Sequence, residues 1–249
     1  MLRNRMIQFF LIYLAGILFL LSVKYALNLS DYVIPAPMEI GLTAKAVGIR
    51  YVDDVLNTVV IAVLGHIISI ILAFSVGILG GQKSWAGALV KTTAYNIQAY
   101  PIVAVAPLIF ILLGDGLLSR LIISVMICYF PLLLSVMGVL SEPIESIEHF
   151  YRVTRKLTWK LQVKIRIFEN ISTLSTVIVG SATMAMVGTI VAEFVASNAG
   201  IGYSIRIALY QSDMAKILIA LFWIGICTSG YLTGIELIGN SVHKRLKAV

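Results

Sequence analysis

From Val55 to Leu79 the chain contains no Asp, Glu, Lys or Arg, and a helix needs only about 20 such residues to cross the hydrocarbon of a bilayer. A soluble fold has no interior able to hide several segments of this kind. Comparable apolar runs occupy Ile7 to Leu29, the stretch after Lys83 up to Leu113, Leu117 to Val139, Ile171 to Val191 and Lys216 to Asn240. Charged residues make up 12% of the 249 positions, where a soluble domain carries roughly a quarter; mean hydropathy is +0.97. The chain therefore reads as an all-α polytopic membrane protein with six transmembrane helices. No polar stretch is long enough for a nucleotide-binding domain, so energy for any transport is expected from another chain or an ion gradient.

The formal charge of +7 invites a nucleic-acid reading that the placement of the cations removes. Arg3 and Arg5, Lys83 and Lys91, the basic residues between 142 and 172, and Lys244, Arg245 and Lys247 fall in alternate loops and at both ends. That is the positive-inside pattern, and it puts both termini in the cytoplasm. The first run is too long for a signal peptide and no small-residue cleavage site follows it. Cys128 and Cys227 lie within apolar runs, where free cysteine packs as a small hydrophobe.

Glu142 to Ser172 is the one long polar interruption. Phe150, Val153, Leu157, Leu161, Ile165 and Phe168 recur at three or four residues, so the periodicity predicts one amphipathic, basic helical segment on the cytoplasmic side. Such a helix suits a partner surface or anionic membrane lipid. Between Ser30 and Asp54, Pro35 and Pro37 predict an extended turn, and Ile40, Ala44 and Val47 a short helix on the outer surface. Gly77 and Gly81 allow close helix approach. His66 has no companion ligand and is expected to be a hydrogen-bonded packing residue. Pro101 and Pro107 predict a bend in the third span, and freed backbone carbonyls suit a passage wall.

The fifth span is rich in small residues, with Ser175, Ser181 and Thr183 the candidates to line a solute route beside Pro101 and Pro107. Glu193, ionisable near membrane depth, reads either as part of that route or as a hydrogen-bonded structural carboxylate. No Walker A, Cys-x-x-Cys or His-Glu-x-x-His pattern occurs. Gly200-Ile201-Gly202 is a weak fragment of a dinucleotide fingerprint with no strand before it. An enzyme, a metal site and a bound cofactor are accordingly not expected.

Ile34-Pro35-Ala36-Pro37, Pro101 followed by Ala106-Pro107-Leu108-Ile109, Gly114-Asp115-Gly116, Phe130-Pro131, and Val191-Ala192-Glu193-Phe194 followed by Ala199-Gly200-Ile201-Gly202-Tyr203 occur in that order. In this the chain resembles the permease subunits of binding-protein-dependent ABC importers, and most closely the taurine, alkanesulfonate, nitrate and bicarbonate group. The resemblance implies a type I importer permease fold. It divides the chain into a first transmembrane helix with an outer amphipathic segment (1–54) and a core of five transmembrane helices (55–249) carrying a coupling-helix loop at 142–168. It implies ABC ATPase subunits, two per complex, a second permease chain, like or unlike, a solute-binding protein outside, and membrane lipid as partners; nucleic acid is not among them. Candidate ATPase-coupling residues are Glu148, Arg152, Arg155, Leu157, Trp159 and Leu161.

The loop departs from the family pattern. His149, Phe150 and Tyr151 replace its Glu-Ala-Ala, Arg155 stands at its Gly and Phe168 at its Pro. Glycine there permits a positive φ that arginine adopts only at a cost, so an altered two-helix shape is expected. The competing functions are an ion-gradient transporter, which would need recurring intramembrane carboxylates, and a membrane scaffold without transport.

Overall fold

The computed structural model describes residues 5–82, 84–98, 100–154 and 156–247, with the side chains at 97, 98, 146, 152, 240 and 242–247 outside the description. Arg3, Lys83, Arg155, the Arg152 side chain and the side chains of Lys244, Arg245 and Lys247 thus lie outside the described residues. The described residues form ten helices: α1 (Arg5–Ala26), α2 (Pro37–Gly80), α3 (Trp85–Gln98), α4 (Ile102–Leu113), α5 (Leu117–Ser141), α6 (Glu145–Val153), α7 (Trp159–Glu169), α8 (Ile171–Ala196), α9 (Ile201–Tyr210) and α10 (Met214–Lys247). Five are long and apolar enough to cross a bilayer: α1, α2, α5, α8 and the Met214–Gly239 part of α10.

The third span is not the bent rod predicted from its prolines. The chain ends α3 at Gln98 and restarts α4 at Ile102, with Pro101 as the extended residue before α4 (φ −68°, ψ 108°). Proline has no N–H to continue a helix and disfavours the helical region for the residue before it, so Pro101 divides the span. At 12 residues, or about 18 Å, α4 is too short to cross alone. Pro107 sits inside α4.

The short outer helix is also corrected. Pro37 occupies the first turn of α2, where its fixed φ suits a helix start. The helix then runs on for 44 residues, unbroken across Asp54 and Val55. No Gly or Pro lies between Gly48 and Gly65 to stop it, and Thr58 returns a hydrogen bond to the Asp54 carbonyl at 3.1 Å.

α2, α5 and α8 pack around a shared seam. A Cβ on Gly65 would stand 2.6 Å from Ser124 Oγ, one on Gly77 2.7 Å from Val136 Cγ1, and one on Gly188 3.1 Å from the Ser124 Cα. Small residues let helix backbones approach where lipid supplies no hydrophobic drive. The expectation for Gly77 and Gly81 holds: Gly77 faces α5, and Gly81 faces the Trp159 ring of α7. α10 covers α2 and α8, and α1 leans on α10 through Tyr13 Oη, which donates to the Leu218 carbonyl at 2.9 Å, and through the Phe9, Tyr13 and Phe222 rings.

The polar interruption folds as two helices and not one. Thr158, extended at φ −103° and ψ 157°, ends the connection and caps α7 by accepting the Leu161 N–H. Residues placed on a single apolar stripe by their spacing therefore separate, and Phe150, Val153 and Phe168 stand 63%, 69% and 57% exposed. Arg155, at the position that the resemblance aligns with glycine, lies outside the described residues. Arg5 of α1 and Glu236 of α10 pair at 2.9 Å.

Candidate functional site

The α6–α7 hairpin is held by a buried arginine. Arg166 Nε donates to Glu148 Oε1 at 2.6 Å and Nη2 to Oε2 at 2.9 Å, a two-pronged pair. Its remaining nitrogen, Nη1, donates to the Leu140 carbonyl in the last turn of α5, where helix carbonyls lack intrahelical partners. Glu148 is only 1% exposed, and the Ile144 N–H also reaches it. The geometry turns Glu148 into the hairpin instead of presenting it to a partner. Trp159 packs among Val136, Val139, Leu140, Leu174, Phe74 and Ile78, and its indole N–H has no acceptor among the described residues. Leu157 and Leu161 are half-buried.

What the hairpin leaves open is a largely apolar groove of about 530 Å³, lined by Ile147, Val163, Ile165, Ile167, Phe168 and Ile171 with Lys164 and Glu169. Lys156, Lys160 and Lys164 are exposed along the same segment.

The candidate route residues separate. Ser175 and Thr183 line a cavity of about 300 Å³ between α1, α8 and α10, with Thr176, Gly180 and the Arg5–Glu236 pair. Ser181 is buried elsewhere. Its Oγ lies 2.9 Å from His66 Nε2, while His66 Nδ1 lies 2.7 Å from Tyr231 Oη. His66 is thus the hydrogen-bonded packing residue expected, tying α2, α8 and α10. Pro101, just before α4, and Pro107 within it are exposed; they line neither this cavity nor the groove. The same helix buries Ala106 and Phe110 against Ile123 and Ala192.

Glu193 is fully buried at the opposite end from the hairpin. Its Oε2 accepts the Thr58 hydroxyl at 2.7 Å and the Gly202 N–H at 3.1 Å, while Oε1 faces Arg120 Nη1 at 3.5 Å, an ion pair beyond hydrogen-bond length. Arg120 also donates to Asn57 Oδ1 at 2.8 Å, and Thr58 Oγ1 accepts the Ile201 N–H at 3.0 Å. A carboxylate and a hydroxyl therefore satisfy the amides that open α9, where the helix dipole favours negative charge. These contacts are the kind that a structural carboxylate makes. They also explain Gly200 and Gly202: a Cβ on either would collide with Glu193 or its backbone neighbours, and Gly200 has φ +90°. Around it, Asp54 Oδ2 accepts the Ser204 hydroxyl at 2.5 Å, Asp115 the Asn198 N–H at 2.9 Å, and Arg206 donates to the Phe194 and Ser197 carbonyls.

Sequence reasoning reads Arg120 as an interface marker and Arg166 as part of the basic helix surface, and passes over Thr58. Arg120 carried a usable signal, since an arginine inside an apolar span needs a counter-charge and Glu193 is the carboxylate inside another. Arg166, flanked by Ile165 and Ile167, gave no sign that it points inward.

The sequence family described as binding-protein-dependent transport system inner membrane component matches residues 65–247. The chain belongs to this family. Among curated members of such transport systems, it is 36% identical over 135 residues to the riboflavin transport system permease protein RibX of Chloroflexus aurantiacus, covering 53% of this chain and 49% of that protein. It is 24% identical over 196 residues to the formylaminopyrimidine transport permease protein ThiX of Halalkalibacterium halodurans, covering 77% of each. With the putative aliphatic sulfonates transport permease protein SsuC of Bacillus subtilis it shares 24% identity over 194 residues, 76% of this chain and 69% of the relative. The match to the riboflavin relative thus spans about half of that protein's length. Membership in this family of inner-membrane components makes the chain a multi-pass membrane protein.

Proposed function

We propose that this chain is the permease subunit of an ATP-driven importer, working with two ATPase subunits inside, a second permease chain beside it and a solute-binding protein outside. The third of six crossings is the discontinuous pair α3–α4, and both termini and the α6–α7 hairpin face the cytoplasm. Residues 55–249 serve as the permease core. The observation that carries the reading is the hairpin's exposed apolar groove, in a chain of this family. A groove of that kind suits a protein partner with an apolar insert.

ATP binding would close the ATPase pair, shift the hairpin and rock the core. That requires the ATP-bound ATPase to prefer one permease conformation, because equal affinity for both shifts nothing. Ser175 and Thr183 are assigned to the solute route, with Pro101 and Pro107 completing it against the second permease chain. Leu157 and Leu161 support the docking surface from within, while Trp159 packs inward against α2, α5 and α8. An ion-gradient mechanism has less support, since Glu193 and Glu236 are each engaged by an arginine.

The test is purification in mild detergent. The wild-type chain should bring down an ATPase subunit, and Phe150→Glu with Phe168→Glu should abolish that association without lowering the melting temperature, both side chains being exposed. A wild-type chain that recovers no ATPase, or a double variant that recovers it in full, overturns the proposal.

A further inference from the structure

We infer that the hairpin delivers its movement to the α2–α3 turn, through contact of the Trp159 ring with the backbone of Gly81, and from there to α4. This rests on the importer reading and names the internal path it would use.

The path is a run of contacts in which side chains have been removed. Gly81 follows the last residue of α2, and a Cβ there would stand 2.8 Å from Trp159 Cη2 and 3.1 Å from Cζ2. With hydrogen in its place, the indole rests on the main chain and no flexible side chain absorbs its displacement. One step on, a Cβ on Gly87 in the first turn of α3 would collide with the Gln82 carbonyl, and the Gly87 N–H donates to Ser84 Oγ at 3.1 Å. The turn is therefore packed on Trp159 on one side and on α3 on the other. α3 in turn buries Ala94 beside Cys128, Leu132 and Leu133 of α5, and Tyr95 meets Phe130 edge to face at 6.2 Å between centroids. α4 packs on the same helix, its Ala106 and Phe110 lying against Ile123 of α5, so α5 joins α3 to α4. Close-packed interiors are stiff, so sub-ångström shifts pass along such contacts.

The ring can act as a pusher because α7 is held as a unit with α6. Arg166 joins Glu148 on α6 to the Leu140 carbonyl ending α5, so the hairpin pivots about the end of α5. Trp159, about two turns before Arg166 on α7, carries that rotation to Gly81. The ring is held by packing against α2, α5 and α8. Trp159 and Gly81 are positioning residues in this scheme, and the ATPase touches neither.

The experiment uses the purified permease–ATPase complex in lipid nanodiscs, with Cys128→Ala and Cys227→Ala and spin labels at Leu112→Cys on α4 and Tyr210→Cys on α9, both exposed. The label separation is measured without nucleotide and after trapping with ATP and vanadate, alongside ATP hydrolysis; no solute need be known. Gly81→Ala is chosen because φ −76° and ψ −10° suit alanine, leaving the ring collision as its effect. Trp159→Phe removes the two ring atoms nearest Gly81. Each single variant should keep its ATPase and hydrolyse ATP while the nucleotide-driven population shift at α4 falls at least fivefold, and the double variant should recover to within twofold of wild type. Wild-type shifts in both singles, or a double variant no better than the worse single, overturn the inference alone. Loss of the ATPase from the singles makes the contact part of docking and overturns it too. A wild-type chain that binds no ATPase overturns the importer reading and this inference with it.

Discussion

Replacing Gly200 by alanine isolates the brace around Glu193. The residue sits at φ +90°, ψ 172° as the N-cap of α9, a region essentially reserved for glycine, and holding another residue there costs about 1–3 kcal/mol. The new Cβ would also fall on the Glu193 carboxylate, which is fixed by Thr58, Gly202 and Arg120; forcing a methyl into a packed site costs a further ~1–3 kcal/mol. Gly114 supplies the control. It has nearly the same backbone, φ 78° and ψ 173°, with nothing within 4 Å of its Cβ, so Gly114→Ala pays the first cost only. At about 2–4 °C per kcal/mol for a chain of this size, midpoint values give a fall of about 8–16 °C for Gly200→Ala and about 4–8 °C for Gly114→Ala. Thermal unfolding of the two variants in one detergent, followed by tryptophan fluorescence, reads the difference. Equal shifts would mean that Glu193 does not occupy the space assigned to it, and the brace would have to be abandoned.

His66→Phe should lower stability by about 1–3 kcal/mol, because it strands the Tyr231 hydroxyl; adding Tyr231→Phe should recover part of the loss in a double-mutant cycle. Glu236→Gln breaks a pair whose side chains are 38% and 48% exposed, and the melting temperature should imply a change below about 1 kcal/mol. At Asp213, burial pushes the carboxyl up, but hydrogen bonds from the Lys216 amide and ammonium, the charge of that ammonium and the Ala215 amide outweigh it, so its pKa lies below the ordinary 3.8. A carboxylate lowered by folding stabilises above its unfolded pKa and loses that contribution as pH falls through the folded one. The deficit of Asp213→Asn should therefore be full at pH 6 and shrink below about pH 4, and a deficit independent of pH from 3 to 6 would refute the assignment.

How far these features were legible depended on whether the deciding interaction was local. Long apolar runs and alternating basic loops located α1, α2, α5, α8 and α10 because burial in lipid is decided residue by residue. The division at Pro101 was missed, since a proline reads as a bend or a break depending on what satisfies the carbonyls it frees. The continuity of α2 past Asp54 was missed for the opposite reason: charged residues suggested an end where nothing in the backbone chemistry required one. In the hairpin, spacing alone could not distinguish one helix from two, because the break before Thr158 leaves the spacing of Val153, Leu157 and Leu161 unaltered. Among the site residues, the roles of Glu148 and Glu193 depended on Arg166 and Arg120, which lie 18 and 73 positions away and meet them only after the helices pack.

The length of α2 has a mechanical consequence. Its 44 residues measure about 66 Å at 1.5 Å per residue, roughly twice the hydrocarbon thickness, and they form a single unjointed rod. A tilt of about 5° about its Gly80 end would sweep the Pro37 end through about 6 Å. Coupling free energies are reciprocal, so a ligand that favours one tilt by loading the Pro37 end would bias the Gly81 turn by the same free energy with which that turn biases the far tip.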